Sequence, residues 1–213
     1  MKVAIVSESP ADEAAIKFLV DAIVGHATEL VVAPRLRPNG WPHVLSLLPN
    51  IVKYLHYFTD VDGLVVVVDS DDSPVHDDSH EASEVLNPNC RLCLLRATLG
   101  LSLGRVSPVM RRVVIKTALG VAVPSIEAWY RCGIDPRVNE SAWSRRLRGQ
   151  NVDYDRRSLK NDAYGSHQPS LVMETKAAVE AAKRLTSNLE ELEQLFPNGF
   201  GSLLRDLRRW SEN

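Results

Sequence analysis

Four acids stand where this sequence leaves an apolar run. Glu8 closes "VAIVSE", Asp69 and Asp71 follow "LVVVV" (64–68) as "DSD", and Glu127 lies just past "VAVPSI". The run from Leu64 to Val68 suits a strand covered on both faces, as in a parallel sheet. Such a strand rarely ends in alternating carboxylates unless a cation or substrate sits beside them. Acids gathered from several strand ends repel and raise one another's pKa, and a divalent ion relieves that repulsion. Hard oxygen donors suit Mg²⁺, with Mn²⁺ as a substitute. Each acid also has a plainer use. Asp72, Asp77 and Asp78 fit a solvated or capping loop, Asp12 and Glu13 fit the positive end of a helix, and Glu8 fits a turn. Glu127 fits a first-turn position behind an N-cap Ser125.

A second set of chemical residues follows the third of these acids. "HDDSHEASEVLNPNCRLC" contains His76-x3-His80 and Cys90-x2-Cys93, both metal-ligand spacings, and tetrahedral zinc accepts two Cys with two His. The order is unusual, and "CRLCLLRATL" reads as a helix whose cysteines serve as small apolar residues. Zinc is therefore not expected, and a redox Cys-x-x-Cys still less. Of the tryptophans, Trp129 reads as core. Trp143, beside Arg145 and Arg146, is the better candidate for base stacking, although core packing suits both. No G-x-x-x-x-G-K-[ST] loop and no G-x-S-x-G elbow occurs, so an ATP-driven role would need an ATPase partner.

The elements that must position these residues follow from periodicity. "VAIVS" is a first strand, and Ile16, Leu19, Val20 and Ile23 mark one face of a helix that Pro10 opens and Gly25 stops. A second strand is expected over 29–34, and a helix over 42–57 with a kink or break at Pro49. The strand at 64–68, a helical region around 79–101 and a fourth strand, or two, within "RRVVIKTALGVAV" follow. This alternation predicts an α/β sandwich with a mainly parallel sheet over residues 1–130. Within residues 131–213, the part from 140 to 212 shows helical stretches (around 173–186, 187–196 and 200–211) and no convincing strand. The whole of 131–213 reads as a helical extension packed on the same domain.

Composition bounds the class. The chain has 213 residues, 45% hydrophobic and 24% charged, with three cysteines and no membrane-length apolar run, which suits a cytoplasmic protein without disulfides. The net charge of −2 conceals an asymmetry. Residues 1–105 carry 8 Lys and Arg against 14 Asp and Glu, whereas residues 106–213 carry 17 against 13. Within 131–160 stand Arg131, Arg137, Arg145, Arg146, Arg148, Arg156, Arg157 and Lys160. Acids that collect a cation beside arginines that collect phosphates suit metal-assisted chemistry on a polyanion, and solvated helices explain the same charge.

"VAIVSES" before a helix and "VVVVDSDD" together resemble the Toprim fold, with its Glu after the first strand and Asp-x-Asp after the third. "VAVPSIEAWYRCG", "SLKNDAYG" and "FGSLLRDL" are similar to small stand-alone Toprim-like proteins related to OLD-type nucleases of phage defence. The resemblance covers most of the chain. It maps the Toprim Glu to Glu8, the Asp pair to Asp69 and Asp71, the Glu before Ala-Trp to Glu127, and the later Lys to Lys160. One position departs: Ser9 stands where Toprim proteins usually carry Gly. The acid often found early in the first helix would be Asp12 or Glu13.

The resemblance implies a Mg²⁺-dependent nuclease in phage defence or repair. Asp69, Asp71 and Glu127 would hold metal, with Glu8 a further ligand or general base and Lys160 offsetting phosphate charge. Arg131, Arg145, Arg146, Arg148, Arg156 and Arg157 would track nucleic acid. The alternative is a catalytically inactive Toprim-like module that binds nucleic acid or a partner protein. Asp-x-Asp phosphatases and glycosyltransferases fit less well. The former usually carry the motif at the first strand, and the latter require no acids at neighbouring strand ends.

Overall fold

The structure, a computed structural model, describes residues 1–32, 38, 40–77, 79–80, 86–109 and 114–211. Four strands form one all-parallel sheet: β1 (Lys2–Val6), β2 (Glu29–Leu30), β3 (Gly63–Asp69) and β4 (Lys116–Ala122), in the order β2-β1-β3-β4. β3 is buried from Gly63 to Val68, the two-sided burial that its unbroken apolar run demands. The fourth strand is single among the described residues, and 110–113 lie outside them. β2 is shorter than expected, and residues 33 and 34 of that expectation also lie outside the described residues.

Alternation along the strands divides the core into two layers. Val3, Ile5, Val65, Val67 and Ala118 face α1 (Pro10–Val24). Ala4, Val6, Leu64, Val66 and Val68 face α2 (Trp41–Phe58) and α3 (Arg91–Gly104). Helix α1 begins where Ser9 Oγ accepts the Asp12 N–H at 3.2 Å, and stops at Gly25 with φ of 79°. Helix α2 does not break at Pro49. It runs through as 18 residues and buries Val44, Leu48, Ile51, Val52 and Leu55. An interior proline costs about 3 kcal/mol, whereas each buried aliphatic side chain contributes roughly 1.5–3 kcal/mol, so the packed face wins. Of the helical region expected around 79–101, α3 covers the later part, and 81–85 lie outside the described residues.

Beyond β4 the chain is helical: α4 (Ile126–Trp129), α5 (Glu140–Leu147), α6 (Arg156–Tyr164), α7 (Leu171–Leu185), α8 (Leu189–Leu195) and α9 (Gly199–Ser211). Helices α7 and α9 complete the layer begun by α1 through Ala178, Ala182, Leu185, Phe200, Leu203 and Leu207. Trp129 is fully buried there, edge-on to Phe200 at 5.3 Å. Helix α9 starts hard against the sheet. A Cβ on Gly199 would stand 2.0 Å from the Val121 carbonyl oxygen, and Gly199 N–H donates to Glu140 Oε1 at 2.6 Å. Gly199→Ala should therefore destabilise the fold by about 3 kcal/mol or more, because backbone cannot yield to the methyl. Gly100→Ala, exposed in α3 and meeting nothing within 4 Å, should add roughly 0.5–1 kcal/mol. Urea denaturation of the two variants measures the contrast.

Candidate active site

Strands β1 and β3 are neighbours whose onward connections lead to opposite edges of the sheet, and ligands of open α/β sheets collect beyond the carboxyl ends of such strands. The four acids lie there. Glu8 follows β1, Asp69 is the last residue of β3, Asp71 sits in the turn beyond it, and Glu127 lies in the first turn of α4. The β3 turn is lashed to the chain leaving β4: Ser70 N–H donates to Ala122 O at 2.7 Å, and Asp71 N–H donates to Pro124 O at 2.8 Å. Asp71 takes φ of 49°, a left-handed conformation that costs an ordinary residue roughly 1–2 kcal/mol and Asp less.

Arg91, the first residue of α3, binds this corner together. Its guanidinium donates to Asp69 O and Asp71 Oδ2, both at 2.5 Å, and reaches Glu8 Oε1 at 3.5 Å, while lying 5.0 Å over the Trp41 ring. Glu8 also accepts from the Asp69 N–H at 3.0 Å and from the Trp41 N–H. Asp69 Oδ1 accepts from the Ile126 N–H at 2.9 Å, which ties β3 to the start of α4. Arg156 pairs with the other Asp71 oxygen and lies 3.6 Å from Asp72.

Asp12 joins the cluster. Placed as a helix N-terminal charge by its sequence position, it is indeed in the first turn of α1, but burial lifts its carboxyl to about 7, with Glu127, Glu8 and Glu174 adding repulsion. Asp69 is pushed well above the usual carboxylate range, first by burial and then by Glu127, Asp12, Glu8 and Asp71. Burial raises Glu8 as well, against the pull of Asp69 N–H and Arg91. Among the described residues no salt bridge reaches Asp12, Asp69 or Glu127. Tyr130 and Tyr164 feel the same acids from the core side, and burial raises both phenols. The Tyr130 hydroxyl is buried without a hydrogen-bond partner among the described residues. A signal for Asp12 existed: it precedes Ala15, Ile16 and Leu19 by 3, 4 and 7 positions, on the buried stripe of α1. Arg91 had none, because its partners lie far away in sequence.

A cleft of about 660 Å³ opens on Asp69, Asp71 and Glu127, a volume typical of small-ligand sites. Its opposite wall comes from the chain beyond β4: Arg146, Arg156, Arg157 and Lys160. The lining does not include Glu8, Arg131, Arg145 or Arg148. Arg131 stands 4.0 Å from Asp162, and Arg148 lines a separate cavity. Lys160 Nζ pairs with Glu174 Oε1 at 3.0 Å. Trp143 borders the cleft yet is 2% exposed, stacked on Tyr154 and donating from Nε1 to Asp71 O at 3.1 Å. That burial leaves no ring face for a base.

The structure also revises the reading of the histidines and cysteines. Cys90 and Cys93 are buried as expected, but candidate ligand atoms of His76, His80, Cys90 and Cys93 all lie within 4.8 Å of one another. No acid group among the described residues closes so tightly. No family model, no curated protein and no solved structure matches the chain.

The Asp12 carboxyl has a testable consequence. With a folded pKa of about 7 against 3.8 unfolded, the folded state binds the proton more tightly. That stabilisation is fully present below pH 3.8 and is lost as pH rises through about 7. Asp12→Asn, which never carries the charge, should gain on wild type across that window by on the order of 4 kcal/mol in chelator-treated buffer. Paired denaturation curves at several pH values give the difference, and a constant difference would refute the burial of this charge.

Proposed function

We propose that this chain is a Toprim-like, Mg²⁺-dependent nuclease that cleaves phosphodiester bonds in nucleic acid, acting in phage defence or repair. The observation that carries the reading is the meeting of carboxylates from three parallel-strand ends and helix α1 at one edge of the sheet, across a cleft from Arg146, Arg156, Arg157 and Lys160. The donor set fits the ion. Asp12, Asp69 and Glu127 offer hard oxygens with no cationic partner among the described residues, and the raised Asp12 and Asp69 carboxyls mark charge in need of neutralisation. Mg²⁺ keeps several waters, so a ring of acids looser than an all-protein cage suits it. The departure at Ser9 is mild: its φ of −144° is open to any residue, and its side chain caps α1.

Asp69, Asp71 and Glu127 would hold the ion, with Asp12 beside them. Bound Mg²⁺ would supply positive charge to the attacking and leaving oxygens. Glu8, held by the Asp69 N–H, is placed to orient the ligands or to take a proton, and its raised pKa suits a base. Arg156, Arg157 and Arg146 would bind backbone phosphates, giving salt-sensitive, sequence-tolerant affinity. Lys160 would pass from Glu174 toward the phosphate. A second reading, a module that binds nucleic acid without cleaving it, is favoured by one observation: Arg91 and Arg156 already occupy both oxygens of Asp71.

Asp69→Asn and Asp71→Asn keep shape while removing charge. Each should lower Mg²⁺-dependent cleavage of DNA or RNA by roughly 10²-fold or more and abolish the Mg²⁺-dependent rise in melting temperature, with nucleic-acid affinity retained. Undiminished cleavage by both variants would sink the assignment. A wild type that binds nucleic acid but never cleaves it selects the second reading.

A further inference from the structure

The 19 residues between Asp71 and Arg91 connect two parts of the acid corner, and they carry the His pair and Cys90. Ideal tetrahedral zinc, with Zn–S of about 2.3 Å and Zn–N of about 2.0–2.1 Å, places a sulfur and a nitrogen ligand roughly 3.5 Å apart. His76 Nδ1 lies 3.5 Å from Cys90 Sγ and 3.5 Å from Cys93 Sγ. His80 completes the set, its ring edge-on to His76 at 5.3 Å. His80 Nδ1 is a buried nitrogen without a hydrogen-bond partner among the described residues, and Nε2 meets the Asn87 side-chain amide at 2.9 Å. Turned over about its terminal bond, that amide would present its oxygen to an Nε2–H, the outer acceptor that orients a metal-binding imidazole. A cavity of about 450 Å³ has His76 and His80 in its wall and gives an entry path.

We propose that His76, His80, Cys90 and Cys93 bind a structural zinc ion that staples the loop after β3 to the start of α3. The set is closed, four protein ligands of mixed sulfur and nitrogen, which is the pattern of structural rather than catalytic zinc. Its place gives it a purpose: Cys90 directly precedes Arg91, and His76 follows Asp71 by five residues. The staple therefore holds the guanidinium that binds Glu8, Asp69 and Asp71. Binding replaces the two thiol protons, which leave to solvent. Arg96 Nη1 stands 3.2 Å from His76 Nε2, and arginine can only donate, so Nε2 accepts and Nδ1 carries the proton. Zinc on Nδ1 would put the imidazole proton on Nε2, so Arg96 Nη1 would have to withdraw from it while Nη2 keeps its 3.2 Å hydrogen bond to Ser202 Oγ.

The test is metal content, which does not depend on cleavage. Full-length protein purified under reducing conditions without chelator should contain one zinc per chain, and its cobalt-loaded form should show thiolate-to-cobalt charge-transfer absorption. Cys93→Ser and His80→Asn should lose both signals, while Cys132→Ser, buried elsewhere, should keep them. Should those variants fail to fold, wild type stripped by chelator and reloaded with zinc provides the same answer through a recovered melting temperature. A reduced wild type that takes up neither zinc nor cobalt overturns the proposal, whether or not it cleaves nucleic acid.

Discussion

The corner beyond the sheet depends on the Arg91 guanidinium. A planar fork with five donors and a permanent charge serves a carbonyl and two carboxylates at once in a fixed geometry, whereas lysine offers a compact, rotatable point charge. Arg91 does so while 11% exposed and lying over Trp41. It thereby joins the ends of β1 and β3 to the starts of α2 and α3. Leaving such acids buried and unpaired would cost several kcal/mol each. The left-handed backbone of Asp71 persists because its N–H, its carbonyl and both its side-chain oxygens are all engaged.

Arginine neutralises only part of the cluster. Glu8 and Asp71 share Arg91, whereas Asp69 accepts the Ile126 N–H and both Asp69 and Asp12 answer burial through raised proton affinity. The corner thus has a cation-paired outer half and an inner half that favours protons. Tyr130 and Tyr164 close the inner half from the core and keep its dielectric low, so that repulsion among the acids stays strong. Stability and chemistry pull apart here: the charges that strain the fold are those able to gather a cation.

The chain after β4 supplies both core and cleft wall. Helices α7 and α9 cover one face of the sheet, while α5 and α6 bring arginines over the acids. Trp143 serves this arrangement as a strut. It stacks on Tyr154, carries Arg146 at 5.2 Å and donates to the Asp71 carbonyl, linking the basic wall to the acid turn.

Much of this was legible in the sequence. The unbroken run 64–68 announced a strand covered on both faces, the alternation of strand and helix announced a parallel sheet, and turn chemistry marked both ends of α1. Those features are local, set by side-chain period and backbone preference over a few residues. The strand-end positions of Glu8, Asp69, Asp71 and Glu127 followed from the same logic. Pro49 shows where local preference fails, since one lost hydrogen bond yields to a whole buried helix face. The partners of the acids were beyond reach. Arg91 meets Glu8 across 83 residues and Arg156 meets Asp71 across 85, and nothing in a one-dimensional pattern encodes such pairings. The His and Cys pairs were visible as spacings, but only tertiary structure decided that His76 and His80 meet the two cysteines at a helix N-terminus. Sequence period determines which face of an element is buried; packing of distant elements determines which charges and ligands meet.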